Sequence, residues 1–261
     1  MFSPESLGII KESAELRRNL LDDAIKSIYK SQSNLITDFR KCLKARNKLL
    51  KTISEQTQAK AEEISILASL NEIYLKLATD LTCARIDLLN KLKPLINEVL
   101  QKISADHDIH FDFEYIVSEK NMNSAGYEMV YQNMQKRMAE LNKSECAFGS
   151  SLVGPQKHDV IFLYNGKDSR IFCSQGQQRS IILAYKMAQV VYHQQVNETY
   201  PVLLLDDVLS ELDQTKQEAL IKYLNEVKTQ TFLTTTDVEV LTKLNIDTQY
   251  KFSIENGKIV I

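Results

Sequence analysis

An aspartate pair, Asp206-Asp207, stands at the end of an uninterrupted apolar run, Val202-Leu203-Leu204-Leu205, that opens after Pro201. Such a run reads as a strand buried on both faces, as in a parallel sheet, and open α/β sheets gather ligands at the carboxyl ends of their strands. Two adjacent carboxylates there suit a hard cation such as Mg2+ held jointly with phosphate oxygens. The plainer alternative is an exposed Asp-Asp turn, and the pair alone does not decide between the two.

A second chemically capable stretch lies upstream, Ser174-Gln175-Gly176-Gln177-Gln178-Arg179-Ser180, ahead of a helical pattern with Ile181, Ala184, Ala188 and Val191 on one face. A glycine just before a helix start lets backbone approach a ligand closely, and the free amides and positive dipole end there favour an anion such as a terminal phosphate. Alone, the segment also reads as a polar turn with an N-cap. Beyond the acids, Ser210-Glu211-Leu212-Asp213 precedes an amphipathic helix whose inner face carries Leu220, Tyr223, Leu224 and Val227. Asp213 suits that helix as its N-cap.

In this order and spacing the three pieces resemble the signature loop, Walker B strand and D-loop of ATP-binding-cassette ATPase heads, most closely those of the RecF family. Supporting residues are Gly154-Pro155, Asn165-Gly166-Lys167, Ser174 to Arg179, Leu205 to Asp213, and Gln230 to Asp237. The resemblance reaches Phe2-Ser3-Pro4-Glu5-Ser6-Leu7, which is similar to a segment well inside RecF-like proteins, so it spans this chain but not the family's full length. RecF-like proteins carry a Gly-x-x-x-x-Gly-Lys-Ser/Thr phosphate loop near their start. Neither Gly166-Lys167 nor Gly257-Lys258 has the preceding glycine or the following hydroxyl. The chain is therefore expected to correspond to the carboxy-terminal portion of a RecF-type protein, whether truncated, split or a fragment, and to bind no ATP alone.

The resemblance implies roles residue by residue. Asp206 would hold Mg2+, and Asp207 would orient or deprotonate the attacking water. Ser174, Gly176 and Gln177 would cap the γ-phosphate of ATP held by an opposing head, with Ser210 and Asp213 across that interface. The implied partners are DNA, single-stranded or at single-strand/duplex junctions, RecO and RecR, and a second head in an ATP-dependent head-to-head dimer. Three departures are visible. Cassette ATPases usually have Glu where Asp207 stands, although RecF-like sequences share the Asp. A switch histidine is expected near Thr236. The family's Gly-Pro-His-Arg-Asp-Asp pattern reads here Gly154-Pro155-Gln156-Lys157-His158-Asp159.

The elements that must position these residues divide the chain at about residue 105. The 261 residues are 44% hydrophobic and 25% charged, enough for one large or two modest domains, and a net charge of −2 gives no global pull towards nucleic acid. Residues 1–105 read as a helical arm. Leu16, Leu20, Ile25 and Ile28 form one stripe, and Ser31 to Asn34 offers a break with capping residues. Leu35, Phe39, Cys42, Leu49 and Ile53 follow. A long pattern after Thr57 carries Leu67, Tyr74, Leu81, Leu88, Leu92, Leu95 and Val99, with a kink or new segment expected at Pro94. The fold class is α/β with a large helical subdomain: a partial cassette head plus a helical hairpin or bundle.

On the first arm, Arg40, Lys44, Lys48 and Lys51 follow one helical face inside a basic run that also holds Lys41 and Arg46. This face could track a phosphate backbone, but a solvated face is the stronger of the two readings. Arg17-Arg18 is equally ambiguous. Residues 106–261 read as the signature and Walker B lobe. Ile109 to Val117 alternates as a strand, a helix runs from about Tyr127 to Leu141, and Val160 to Tyr164 pairs with Arg170-Ile171-Phe172 around Asn165-Gly166-Lys167. Thr231 to Thr235 is a strand, Val238 to Leu244 a short helix, and Glu255 to Lys258 a hairpin turn.

Cys42, Cys83, Cys146 and Cys173 form no Cys-x-x-Cys pair and read as buried or half-buried thiols of a reducing cytoplasm. His107 and His110 lack partner cysteines, so zinc is not expected. No apolar run approaches the roughly 20 residues needed to cross a bilayer, and no signal peptide is visible, which points to the cytoplasm and to no membrane partner. Two other readings stand beside the RecF-type one. In the first the chain is a non-catalytic structural or interaction fragment. In the second it is a chromosome-maintenance-type head, against which the short arms and the break at Ser31 count.

Overall fold

The computed structural model describes residues 8–58, 60–104, 108–227, 229–236, 251–255 and 258–260. Its first half is helical, as the apolar spacing dictates. Ser13 caps α1 (Ala14–Ile28) by accepting from the Leu16 amide at 3.4 Å. A 3-10 turn at Lys30–Gln32 makes the break, and α2 (Ser33–Ser54) follows. The break is not capped as its composition suggests: Gln32 makes no side-chain cap, and Ser33 Oγ donates backwards to the Lys30 carbonyl. Leu16, expected in the core stripe, is 40% exposed.

The spine is α3 (Ala61–Ile103), 43 residues long and therefore about 65 Å at 1.5 Å per residue. It runs unbroken through Pro94, where a new segment was a possible outcome of the sequence. Proline removes one amide hydrogen bond, but Leu92 and Ile96 on either side are fully buried, and their packing holds the helix.

The chain then forms an antiparallel sheet in the order β2-β1-β3-β4, from β1 (Phe111–Val117), β2 (Lys120–Asn121), β3 (Asp159–Tyr164) and β4 (Lys167–Asp168). Phe111, Phe113, Tyr115 and Val117 are buried alternately, as their period of two requires. Between β2 and β3, α4 (Tyr127–Phe148) packs on α2 and α3 and ends at Gly149, whose φ of 67° closes the helix in the left-handed region. Arg170-Ile171-Phe172 is not the expected strand. Asp168 accepts from the Arg170 amide at 2.9 Å and starts a short helix, α5 (Ser169–Phe172), while the Arg170 guanidinium bonds Asp168 and Asp159.

Next, α6 (Gln175–Asn197) lies along α3. The strand β5 (Leu203–Asp206) pairs in parallel with β6 (Thr231–Thr234), and α7 (Gln214–Glu226) lies between them in sequence. A hairpin of β7 (Ser253–Glu255) and β8 (Lys258–Val260) closes the described part, pairing Glu255 with Lys258. Phe2 to Leu7, His107 and the helix expected from Val238 to Leu244 lie outside the described residues. One buried cluster runs from Ile10 to Tyr223 and includes α1, α3, the antiparallel sheet and α6, so the arm and the α/β part share a core. A smaller cluster of Leu50, Ile53 and Leu67 joins α2 to α3 further along the arm.

Buried charge ties these layers together. Arg46, read from sequence as part of a basic run, is wholly buried: it bonds Glu145 at 2.6 Å, Ser151 at 2.7 Å and Asn71 at 2.8 Å, with its guanidinium over the Tyr74 ring. Arg17 forks onto Asp159 through two 2.9 Å bonds, and Arg85 bonds Asp22 at 2.8 Å. His158, one of the departures from the family pattern, sits buried against Tyr115 and near Thr82. Burial, then Arg85 and Arg18, push its pKa down to about 3. Unfolding frees this imidazole to take a proton below the ordinary pKa of about 6.5, so stability is full above that value and is lost as pH falls towards 3. Urea titrations are expected to show about 2 kcal/mol less stability at pH ~5 than at pH ~7.5 from this group. His158→Phe should flatten that part of the slope, and an unchanged slope would refute the assignment.

Candidate functional site

Asp206 is the last residue of β5 and stands opposite Thr234 in the parallel register. The aspartate pair therefore does lie at the carboxyl end of a parallel strand. Thr234 holds both acids with one hydroxyl. Its Oγ1 donates to Asp206 Oδ1 at 2.6 Å and accepts from the Asp207 amide at 3.0 Å. The same amide reaches the Thr234 carbonyl at 3.2 Å. Ser210 fixes the turn from the other side, its Oγ donating to the Asp207 carbonyl at 2.7 Å.

Asp207 is held at φ 48°, in the left-handed region that a side chain other than glycine's enters at a cost. Asp207 Oδ1 is buried without a hydrogen-bond partner among the described residues. A buried carboxylate oxygen without a donor is expensive and is suited to accept from a water or hydroxyl placed beside it. Asp206 has no hydrogen bond to its second oxygen among the described residues. The two acids thus offer hard oxygen ligands, too few to hold a divalent cation alone. No group of three or more His, Cys, Asp or Glu with metal-binding geometry occurs among the described residues. Phosphate oxygens and water would have to complete any Mg2+ shell, and the residues fit that sharing.

The Ser174 segment forms a complete capping box. Ser174 Oγ accepts from the Gln177 amide at 3.2 Å, and Gln177 Oε1 accepts from the Ser174 amide at 2.9 Å. The N-cap reading is therefore true of Ser174, and Gly176 lies inside the first turn of α6 rather than before it. Ser174 is exposed, so the helix start is open to a second molecule. Gln178, buried behind it, donates to the Ser169 carbonyl at 2.7 Å and holds α5 against the turn. Asp213 caps α7 through the Lys216 amide at 3.0 Å and pairs with Lys216 Nζ at 2.8 Å. A methyl group at Gly176 would lie 3.3 Å from that Nζ, so Lys216 carries a positive charge to this glycine turn.

The structure therefore joins Asp206, Asp207 and Ser210 through Thr234 and the turn, and joins Gly176 to Asp213 through Lys216. No hydrogen bond or ion pair links Asp206 or Asp207 to Ser174, Gly176 or Gln177. Thr234 and Lys216 were missed in the sequence. The run Thr234-Thr235-Thr236 at the end of the neighbouring strand was the available signal for the first. Arg40, Lys44, Lys48 and Lys51 lie apart on α2, all exposed; Arg40 is 3.6 Å from Asp22 and Lys51 is 4.0 Å from Glu55.

The strand expected to be buried on both faces is buried on one. Val202 and Leu204 of the β5 segment are 56% and 41% exposed, and Phe232 opposite Leu204 is 54% exposed. A parallel sheet needs both faces covered, so this apolar face awaits a layer that the described residues do not supply. No described helix is long and apolar enough to cross a membrane.

A parallel strand ending in two acids, a capped glycine turn and a second capped helix after the acids, set on a long helical spine, define part of an ATP-binding-cassette ATPase head. The comparisons agree. No protein-family model matches the chain. The DNA replication and repair protein RecF of Latilactobacillus sakei subsp. sakei (strain 23K) is 33% identical over all 261 residues, which cover 68% of that protein. RecF of Staphylococcus carnosus (strain TM300) is 32% identical over the whole chain and 69% of its own length. The solved structures of the recombination mediator protein RecF-ATPrS and RecF-ATP in the RecFOR pathway each superpose with a TM-score of 0.81, at 29% and 28% identity, over 99% of this chain and 66% of theirs. The chain belongs to the RecF family of DNA replication and repair proteins, and spans about two thirds of the length of these relatives.

Proposed function

We propose that the chain supplies the signature and Walker B half of an ATP-dependent DNA-binding clamp used in recombinational repair and recombinase loading. The observation that carries this reading is the acidic tip: Asp206 and Asp207 at the end of β5, both fixed by the Thr234 hydroxyl, with an oxygen of Asp207 buried and without a partner among the described residues. Bound Mg2+ would neutralise the charge of the phosphates. Asp206 would share in holding it, and Asp207 would accept a proton from, or orient, the attacking water. Ser174, Gly176 and Gln177 would cap the γ-phosphate of a nucleotide on an opposing head, helped by the α6 dipole and Lys216. Ser210 and Asp213 would face that head, and RecO, RecR and junction or single-stranded DNA would be the partners. The open apolar face of β5 and β6 would receive the lobe that carries the phosphate loop.

The exposed sheet face also supports a second reading, in which the chain is a non-catalytic interaction piece. Isothermal titration separates them. The chain alone is expected to show no measurable Mg-ATP binding, because no phosphate loop occurs in its sequence. Adding a polypeptide that carries the loop should restore micromolar binding, and Asp206→Ala should weaken it tenfold or more, the loss of one charged metal ligand. Micromolar binding by the chain alone would overturn the claim that the loop matters. No binding after complementation would favour the interaction piece.

A further inference from the structure

Where α1 and α2 lie over α3, the structure forms a half-open cleft of about 430 Å3 that none of the nucleotide-site residues lines. Arg18 and Asn19 come from α1, Phe39 and Arg40 from α2, and Leu81 and Arg85 from α3. Arg85 is occupied: its Nε donates to Asp22 at 2.8 Å and its Nη1 to the Pro155 carbonyl at 3.0 Å. The other two guanidiniums are only partly engaged. Arg18 makes one hydrogen bond, from Nη1 to the His158 carbonyl at 2.6 Å, and Arg40 reaches Asn19 only at 3.5 Å and Asp22 only at 3.6 Å. A guanidinium carries five N–H donors, so both retain donors that the protein groups around them do not use, those of Arg40 facing solvent at a side chain 56% exposed.

The electrostatics favour an anion. The cleft wall carries three arginines against Glu15 and Asp22, an excess of positive charge. Burial, then the charge of Arg85, lower the pKa of Arg18 against the opposing pull of Tyr115, Asp159 and Glu15, so its cationic form is only partly compensated where it stands. A phosphate supplies two or more acceptor oxygens to each of two forks, the arrangement for which arginine is suited. Arg40 is also the first member of the exposed Arg40, Lys44, Lys48 and Lys51 face, so a phosphate at the cleft would lie at the head of a basic track along α2.

We propose that Arg18 and Arg40, with Asn19 between them, form a phosphate-binding subsite at the base of the helical arm. Its natural occupant is a backbone phosphate of single-stranded DNA following the α2 track, or a free phosphate or pyrophosphate. The first source rests on the proposed DNA binding, and the second does not.

The test uses the full chain with a labelled oligothymidylate, followed by fluorescence anisotropy at several salt concentrations, and with pyrophosphate, followed by the arginine side-chain Nε–H resonances. Arg40→Gln, at a position 56% exposed, should leave the melting temperature unchanged. It should weaken oligothymidylate binding about tenfold and reduce the salt slope by about 0.7, one phosphate of a single strand. Arg18→Lys keeps the charge but loses the fork, and should weaken binding as well. Pyrophosphate shifting the Arg18 and Arg40 resonances without any oligothymidylate binding would keep the subsite, assign it to free phosphate, and refute the DNA reading. Oligothymidylate binding weakened by Lys48→Gln but not by Arg40→Gln, with no pyrophosphate response, would overturn the subsite and leave DNA binding standing. No response to either probe would also overturn it.

Discussion

Glu145→Ala is expected to destabilise the chain by about 3–5 kcal/mol, because it leaves the Arg46 guanidinium charged in a wholly buried site. Asn71 and Ser151 would still accept from Arg46, but neither carries the balancing charge. Glu145 also accepts from the Leu152 amide at 2.7 Å, so the substitution strips a backbone donor as well. Thermal unfolding followed by circular dichroism should show a fall of roughly 10 °C. The double change Arg46→Met with Glu145→Leu should recover much of the loss, since an apolar pair of similar volume often replaces a buried ion pair without penalty. A loss below about 1 kcal/mol for Glu145→Ala, the range of an exposed pair, would show that the pair does not hold α2 to α4.

Asp207→Asn is expected to lower ATP turnover by about 10² to 10⁴, the range of a general base, in the chain complemented by a polypeptide carrying the phosphate loop. Nucleotide affinity should change by no more than a few fold, because the amide keeps the shape and the left-handed backbone of the turn. The contrast with Asp206→Ala, which acts on binding, is the discriminating feature. Thr234 connects the two, so its removal should disturb both quantities. Turnover left intact by Asp207→Asn would end the role assigned to this carboxylate. A fall in affinity equal to the fall in turnover would instead make Asp207 a binding residue.

The two largest effects fall in different elements of the fold, and they differ in how openly the sequence announced them. Asp206-Asp207 is visible as a local pattern, since an apolar run ended by acids needs only its neighbours to be read. Glu145 and Arg46 are not. Each stands in a helix among residues of ordinary surface composition, and Arg46 sits in what looks like a solvated basic run. The pair forms across 99 positions of sequence, where no periodicity reaches. The expected strand at Arg170-Ile171-Phe172 failed for a related reason, because Asp168 caps a helix and Asp159 draws the arginine inward.

The amino-acid sequence by itself determined the helical arm, the alternating strand from Phe111 to Val117, the parallel strand ending at Asp206, and the order of turn, acids and D-loop. All of these depend on residue types close along the chain, where backbone period and capping chemistry act locally. Only the tertiary structure decided which charges are buried, that α3 runs through Pro94, that one threonine hydroxyl binds both acids, and that β5 and β6 leave an apolar face open. Those outcomes depend on which distant surfaces meet, and therefore on desolvation and packing rather than on local preference.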